Sequence, residues 1–302
     1  NSRVLKGLFR MDLFSSMSSY IRKHFTDSRL IRLLEFPVLF LGATAKKTPA
    51  LYSLMPHADL CLGTWYPMGG MHKIVEGMVR VAEEKGVELR LDEEVTGFSF
   101  KEDGTIGSIR TTKGEIHADV VIGGADYAHV DQQLLPKEKR NYSPEYWDKR
   151  KMAPSSLLFY LGVDKPRPGL LHHNLFFDED FTQHAYEIYD EPQWPEKPLF
   201  YASCPSKTDP SVAPEGKENL FLLIPVAPDL EDSDATRAYY YDLVMDRLEA
   251  RTGMDVRSSV VFKRSYAHRE FMEDYHAFKG NAYGLANTLD QTALLKPSLK
   301  SK

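Results

Sequence analysis

The sequence predicts an α+β fold of two interleaved parts, with a mixed sheet in the larger one. Three observations carry that expectation. Residues 71–126 read as an amphipathic helix, a short strand, a meander and a buried strand in succession. A second set of strand candidates follows at 155–163, 170–177, 199–203, 220–226 and 259–266, with an amphipathic helix at 234–251 among them. The chain has 302 residues, 42% hydrophobic and 27% charged, which is ordinary globular composition with enough length for two domains or one large one.

At the start, Val4, Leu8, Met11, Phe14, Met17, Ile21 and Phe25 recur at helical spacing over 3–25. Asp27 or Ser28 can cap a second helix carrying Leu30, Ile31, Leu33 and Leu34, which Pro37 interrupts. The nearly uncharged run 37–45, with Leu39 and Phe40, lines either a core or an apolar cavity. Met71, Ile74, Val75, Met78 and Ala82 then mark one face of a helix that Gly86 closes, since glycine tolerates the left-handed backbone of a helix end. Strands are expected at 87–91, 95–101, 106–112 and 115–117, with a turn at Glu102-Asp103-Gly104. Ala118 to Asp126 reads as a buried strand running into a glycine turn. Charged helix-like segments fill 131–151, and a loop rich in Pro, Ser and Asp spans 204–219.

The formal charge of −5, with no long Lys/Arg block, gives no basis for nucleic-acid binding. Two cysteines, Cys61 and Cys204, make no disulfide framework and have no zinc-site spacing, which fits structural thiols in a reducing compartment. No run of 18 apolar residues spans a membrane. The chain opens with neither Met nor a signal-like segment, so its first residue is not expected to be a natural start.

Several motifs together resemble the phytoene desaturase family, flavoproteins that insert double bonds into carotenoid precursors. They are Gly63-Thr64-Trp65-Tyr66-Pro67-Met68-Gly69-Gly70-Met71, Val120–Asp126, Leu161-Gly162-Val163 with His172-His173-Asn174, the run Ser203–Gly216, and Tyr275–Gly284. The likeness covers essentially the whole chain in order. It implies that 64–130 is part of an FAD-binding domain, that 1–63 and 131–285 form the substrate-binding domain, and that 286–302 leads back toward the FAD domain. The family's G-x-G-x-x-G turn, which holds the flavin pyrophosphate, is not found in this sequence, and its closing glycine-rich segment is not reached. The cofactor of the intact parent is therefore FAD, and this chain alone is not expected to bind it or to be active.

The resemblance also implies site positions. Val95 matches the place where related flavoproteins pair adenine with backbone groups, Gly124 and Ala125 match a turn close to the nucleotide, and Gly69 and Gly70 sit where backbone can approach the flavin. Each is equally readable as an ordinary strand valine or turn residue. A carotenoid has no polar handle, so its site should be a long apolar tunnel. Candidate linings include Phe36, Phe40, Phe159 and Phe176, each also a plain core candidate. Asp209, His172 and His173 are the weak acid–base candidates, although Asp209 before Pro210 also suits a turn and no residue stands out as the base. A metal site is not expected, because the histidine pair has no third ligand at suitable spacing.

The resulting reading is an FAD-dependent carotenoid desaturase, cytoplasmic and peripheral on the membrane in which its substrate dissolves. The basic, apolar segment 3–41 suits that bilayer surface. A polyene cis-trans isomerase or saturase on the same scaffold is the nearest alternative, and a non-catalytic apolar-ligand or membrane-binding module is the rival from another class. Segments 87–91 and 119–124 are expected to expose apolar edges and to promote self-association.

Overall fold

The computed structural model describes residues 15–166, 169–288, 290–291, 295–298 and 300, with the backbone alone at 39–41. The expected helix over 3–25 therefore lies in part outside the described residues, as does Phe14. Its second half is α1, Met17–His24, capped by the Ser16 hydroxyl, which accepts from the Ser19 N–H. Asp27 caps α2, Ser28–Glu35, by accepting from the N–H groups of Arg29 at 2.8 Å and Leu30 at 3.2 Å. A 3₁₀ turn at Phe36–Leu41 follows at Pro37. Met17, Ile21, Ile31 and Val38 bury together as a small separate core.

The larger sheet has the order β5-β6-β7-β4-β8, made by His173–Phe176, Phe200–Ser203, Glu218–Val226, Ser155–Val163 and Val260–Tyr266. Each of its pairings is antiparallel, so the expectation of a mixed sheet is corrected. Strand alternation gives the sheet two unlike faces. Leu157, Phe159, Leu161, Leu220, Leu222 and Ile224 point one way and pack on Tyr240, Tyr241, Val244, Met245 and Leu248 of the long helix Asp234–Thr252. Ser156, Tyr160, Tyr201, Phe221, Leu223 and Pro225 belong to the other face, which no long helix among the described residues covers.

The smaller sheet is the antiparallel meander β1-β2-β3, at Val95–Phe100, Ile106–Thr111 and Gly114–Ile116. Before it, α3 spans His72–Glu84 and ends at Gly86, whose φ is +79°. Numbering on in chain order, α4 is Pro144–Asp148, α5 is Phe181–Tyr189, α6 is the long helix Asp234–Thr252, and α7 is His268–Tyr275. The 285–300 region runs back along 150–153, through the Met152–Leu285 bridge and the Ala286 N–H to Lys151 carbonyl bond, and reaches Tyr127, Asn141 and Tyr142.

Two sequence expectations fail here for one physical reason. Residues 87–91 and 118–124 form no strand, and the stretch 118–124 is not buried: Val120 is 77% and Ile122 88% exposed. A strand is stabilised by ladder partners on its edges, and no described segment pairs with either stretch. The apolar stripe of α3 (Ile74, Val75, Met78, Val81) is likewise exposed. A bare surface of this kind favours association. The purified chain is expected to show concentration-dependent oligomers by light scattering and to bind an apolar dye. Substituting Val120 and Ile122 by Lys should reduce both, and a monodisperse, dye-silent wild type would show the surface to be innocuous.

Candidate functional site

The uncovered face of the large sheet carries the main cavity, of about 630 Å³, bordered by Tyr160, Gly162, Phe221, Phe262, Tyr201 and His173 from the sheet. Tyr66, Gly70 and Met71 border it from the Gly63–Met71 loop, and Pro205 and Val212 from the 204–216 loop. Along the strands, a narrow second space of about 40 Å³ continues past Tyr201, which borders both. Its wall is Phe36, Leu175, Phe177, Leu223, Pro225 and Tyr283. From Asn219 to Pro225 on β7 the two together extend roughly 20 Å at about 3.4 Å per residue. Wide chamber and narrow slot thus adjoin at Tyr201 along one face of the sheet, a groove apolar along most of its length.

Both histidines gather at the chamber end. His172 Nδ1 lies 2.7 Å from Thr208 Oγ1, and His173 Nδ1 lies 2.5 Å from the Tyr201 hydroxyl. The two imidazoles stack at 4.3 Å, and Tyr66 meets His172 edge-on at 4.8 Å. Partial burial, then the neighbouring His173, push the His172 pKa down, so that ring is neutral at pH 7. Partial burial, followed by the Asp209 charge, raises that of Tyr66.

Asp209 does not face the cavity as an acid or base. Its Oδ1 accepts from Ser211 Oγ at 2.6 Å and Ser211 N–H at 3.0 Å, and its Oδ2 accepts from the Gly69 N–H. These bonds, the Ser211 hydroxyl foremost, hold its carboxyl below the usual range. The residue is 1% exposed and ties the Gly69-Gly70 turn to the 204–216 loop. Gly69 and Gly70 have φ of +92° and +100°, a backbone that strongly favours glycine.

The other positions named from sequence divide. Phe36 lines the slot, 5.5 Å from the Phe177 ring. Phe159 is corrected: it packs edge-on against Tyr241 in the core beneath the sheet. Phe176 is corrected likewise, stacking on Phe200 at 4.2 Å against that core, while its neighbours Leu175 and Phe177 take the groove side. The Phe40 side chain lies outside the described residues. Val95 opens β1 opposite Thr111. Gly124 and Ala125 are exposed at the end of the unpaired stretch, with open space over Gly124. Gly70 alone of these cofactor candidates borders the cavity, so a dinucleotide would meet one wall here and no enclosure. Tyr201, Phe221, Leu223 and Tyr283 were missed as groove residues. Alternation along 218–226 could have found those on β7.

The family model described as flavin containing amine oxidoreductase matches residues 9–302. The carotenoid 3,4-desaturase of Haloarcula japonica is 41% identical over 292 residues, covering 96% of this chain and 59% of that protein. The phytoene desaturase of Fusarium fujikuroi is 30% identical over 318 residues, covering 97% of this chain and 55% of that one. This chain thus spans less than two thirds of the length of these curated relatives. Among solved structures, an oxidoreductase from Methanosarcina mazei superposes with a TM-score of 0.54 at 16% identity, covering 84% of this chain and 56% of that one, a likeness of fold. With the family model matching nearly its whole length, the chain belongs to the flavin-containing amine oxidoreductase family.

Proposed function

We propose that this chain is the substrate-binding portion, with part of the flavin domain, of an FAD-dependent desaturase acting on a long acyclic polyene. The observation that carries this reading is the groove: apolar over most of its length, with its two histidines at the chamber end that Gly70 borders. Apolar walls suit a hydrocarbon, whose binding comes from area removed from water. The carotenoid and phytoene desaturases named above support the substrate class. The flavin, when bound in the longer protein, supplies the hydride acceptor.

What this chain supplies is position and a proton acceptor. Asp209 fixes the glycine turn at the chamber wall. His172 is our choice of base, being neutral and on the cavity wall. In the tautomer that donates from Nδ1 to Thr208, its Nε2 offers a lone pair. The α1–α2 region carries Arg22, Arg29 and Arg32 beside exposed Phe25, Leu30 and Leu33, and Leu54, Leu60 and Trp65 are also exposed. Such a mixture supports peripheral docking on an anionic bilayer, from which the polyene would pass.

The test uses the full-length protein with FAD and phytoene in vesicles. New conjugated double bonds should appear by absorbance, faster from anionic than from zwitterionic vesicles. His172→Phe should slow them by about 10²-fold or more. Phytoene left unchanged, or isomerised with no added double bond, would overturn the desaturase reading, the second result in favour of an isomerase.

A further inference from the structure

A linear polyene repeats its isoprene unit, so an apolar groove alone holds it almost equally well after sliding by one unit. Selecting one bond for oxidation requires something that senses an end. The structure offers an asymmetry suited to that task. Across β5, β6 and β7, Leu175, Tyr201 and Leu223 form one row of the pleat, and His173, Ser203 and Phe221 form the row on the chamber side. Beyond the Tyr201 row the groove contracts from about 630 Å³ to about 40 Å³. The histidines stay behind in the chamber, where His172 meets Thr208 and His173 meets the Tyr201 hydroxyl, while the slot wall is almost wholly apolar apart from the paired Ser156 and Tyr283 side chains.

The slot is also fixed in shape. Phe177 packs between Phe36 at 5.5 Å and Phe181 at 6.3 Å, and the Tyr283 side chain is bonded to that of Ser156 across its floor. Behind the wall, His184 of α5 holds the Leu199 N–H and the Pro225 carbonyl, two slot residues, at 3.0 and 2.9 Å. A close-packed wall of this kind resists widening by even a methylene.

We propose that the slot receives the terminal isoprenoid end of the polyene and so sets which bond lies beside the Gly69-Gly70 turn. Leu175, Phe177 and Leu223 are then specificity determinants. This inference rests on the polyene reading above, and a single experiment separates the two. An acyclic C40 polyene bearing a photoreactive diazirine on its terminal methyl is delivered from vesicles to the present chain, and labelled peptides are mapped by mass spectrometry. Saturable labelling is expected chiefly on the peptides containing Phe36 and Leu175–Phe177. Leu175→Trp, which fills the slot, should shift most of the label to chamber peptides around Tyr66 and Phe221 with total labelling retained. Phe177→Ala, which lengthens the slot, should move it the other way. Saturable labelling centred on the chamber in the wild type, or a map unmoved by both variants, overturns the end-stop while the polyene reading stands. No saturable labelling anywhere overturns both.

Discussion

Arg237→Met is expected to destabilise the chain by about 3–5 kcal/mol, the largest effect of any single substitution considered for this fold. Arg237 lies at the first turn of α6 and is 5% exposed. Its Nε donates to Asp232 Oδ1 at 2.7 Å, and its two terminal nitrogens donate to Glu270 at 2.9 and 2.7 Å. The Asp232 side chain is 2% exposed and accepts further from the Arg269 N–H at 3.1 Å. Burial alone would raise the Asp232 pKa. The bonds from Arg237 and Arg269 outweigh it and keep the carboxyl below its usual range. Removing the guanidinium leaves two carboxylates facing each other with little water, and unpaired buried charge is what makes broken ion pairs costly. Urea titration should show a lower midpoint at unchanged slope. Arg257→Met, at a pair whose Asp246 partner is 68% exposed, should change stability by no more than about 1 kcal/mol. Equal losses at the two sites would show that the buried network contributes no more than a surface pair.

A second large effect is expected in acid, from His184. Its ring is buried, with its pKa pushed down to about 4 mainly by that burial. The Leu199 N–H must donate to Nδ1, so Nε2 carries the proton it gives to the Pro225 carbonyl. Both nitrogens are therefore satisfied only in the neutral ring. The unfolded chain takes up this proton near pH 6.5, while the folded chain refuses it until about pH 4. Stability from this group is thus complete above pH 6.5, falls as the pH drops toward 4, and levels off below. The span from 6.5 to about 4, at about 1.4 kcal/mol per pH unit, amounts to about 3–4 kcal/mol. His184→Gln should be less stable at pH 7.5 yet lose less between pH 6.5 and 4 than the wild type. Parallel pH profiles for the two would place the acid sensitivity elsewhere. Because His184 holds the backbone behind the slot, polyene affinity is expected to weaken over the same pH range.

How far the sequence carried depended on whether the signal was local. The strand-like run at 220–226, the Asp27 cap and the helical spacing over 234–251 put β7, α2 and α6 within a residue or two of their observed limits. The continuous apolar run Leu157–Leu161 could not reveal which face was which, so Phe159 stands in the sequence as both a substrate lining and a core candidate, and the fold assigns it to the core. Residues 87–91 and 118–124 have strand composition but no pairing partner among the described residues, and composition alone cannot supply one. The helix α5 was missed even though Asp180 caps it and Phe181, Ala185 and Ile188 recur at helical spacing, because aromatic and polar residues dilute its pattern. The site itself is a product of distance in sequence. His172 meets Thr208 36 residues on, and Gly69 meets Asp209 140 residues on, so neither pairing was legible before the chain was folded.

The central claim is that the uncovered sheet face binds a polyene. Its most direct test is equilibrium uptake of an acyclic C40 polyene by the purified chain from vesicles, beside Phe221→Asp of unchanged circular dichroism. Phe221 is half-buried at the middle of the groove, and a carboxylate there costs the site its apolar character. Saturable uptake near one polyene per chain, weakened at least about tenfold by Phe221→Asp, is the expected result. No saturable uptake, or equal uptake by both proteins, would contradict the claim and return the groove to an ordinary exposed face of the sheet.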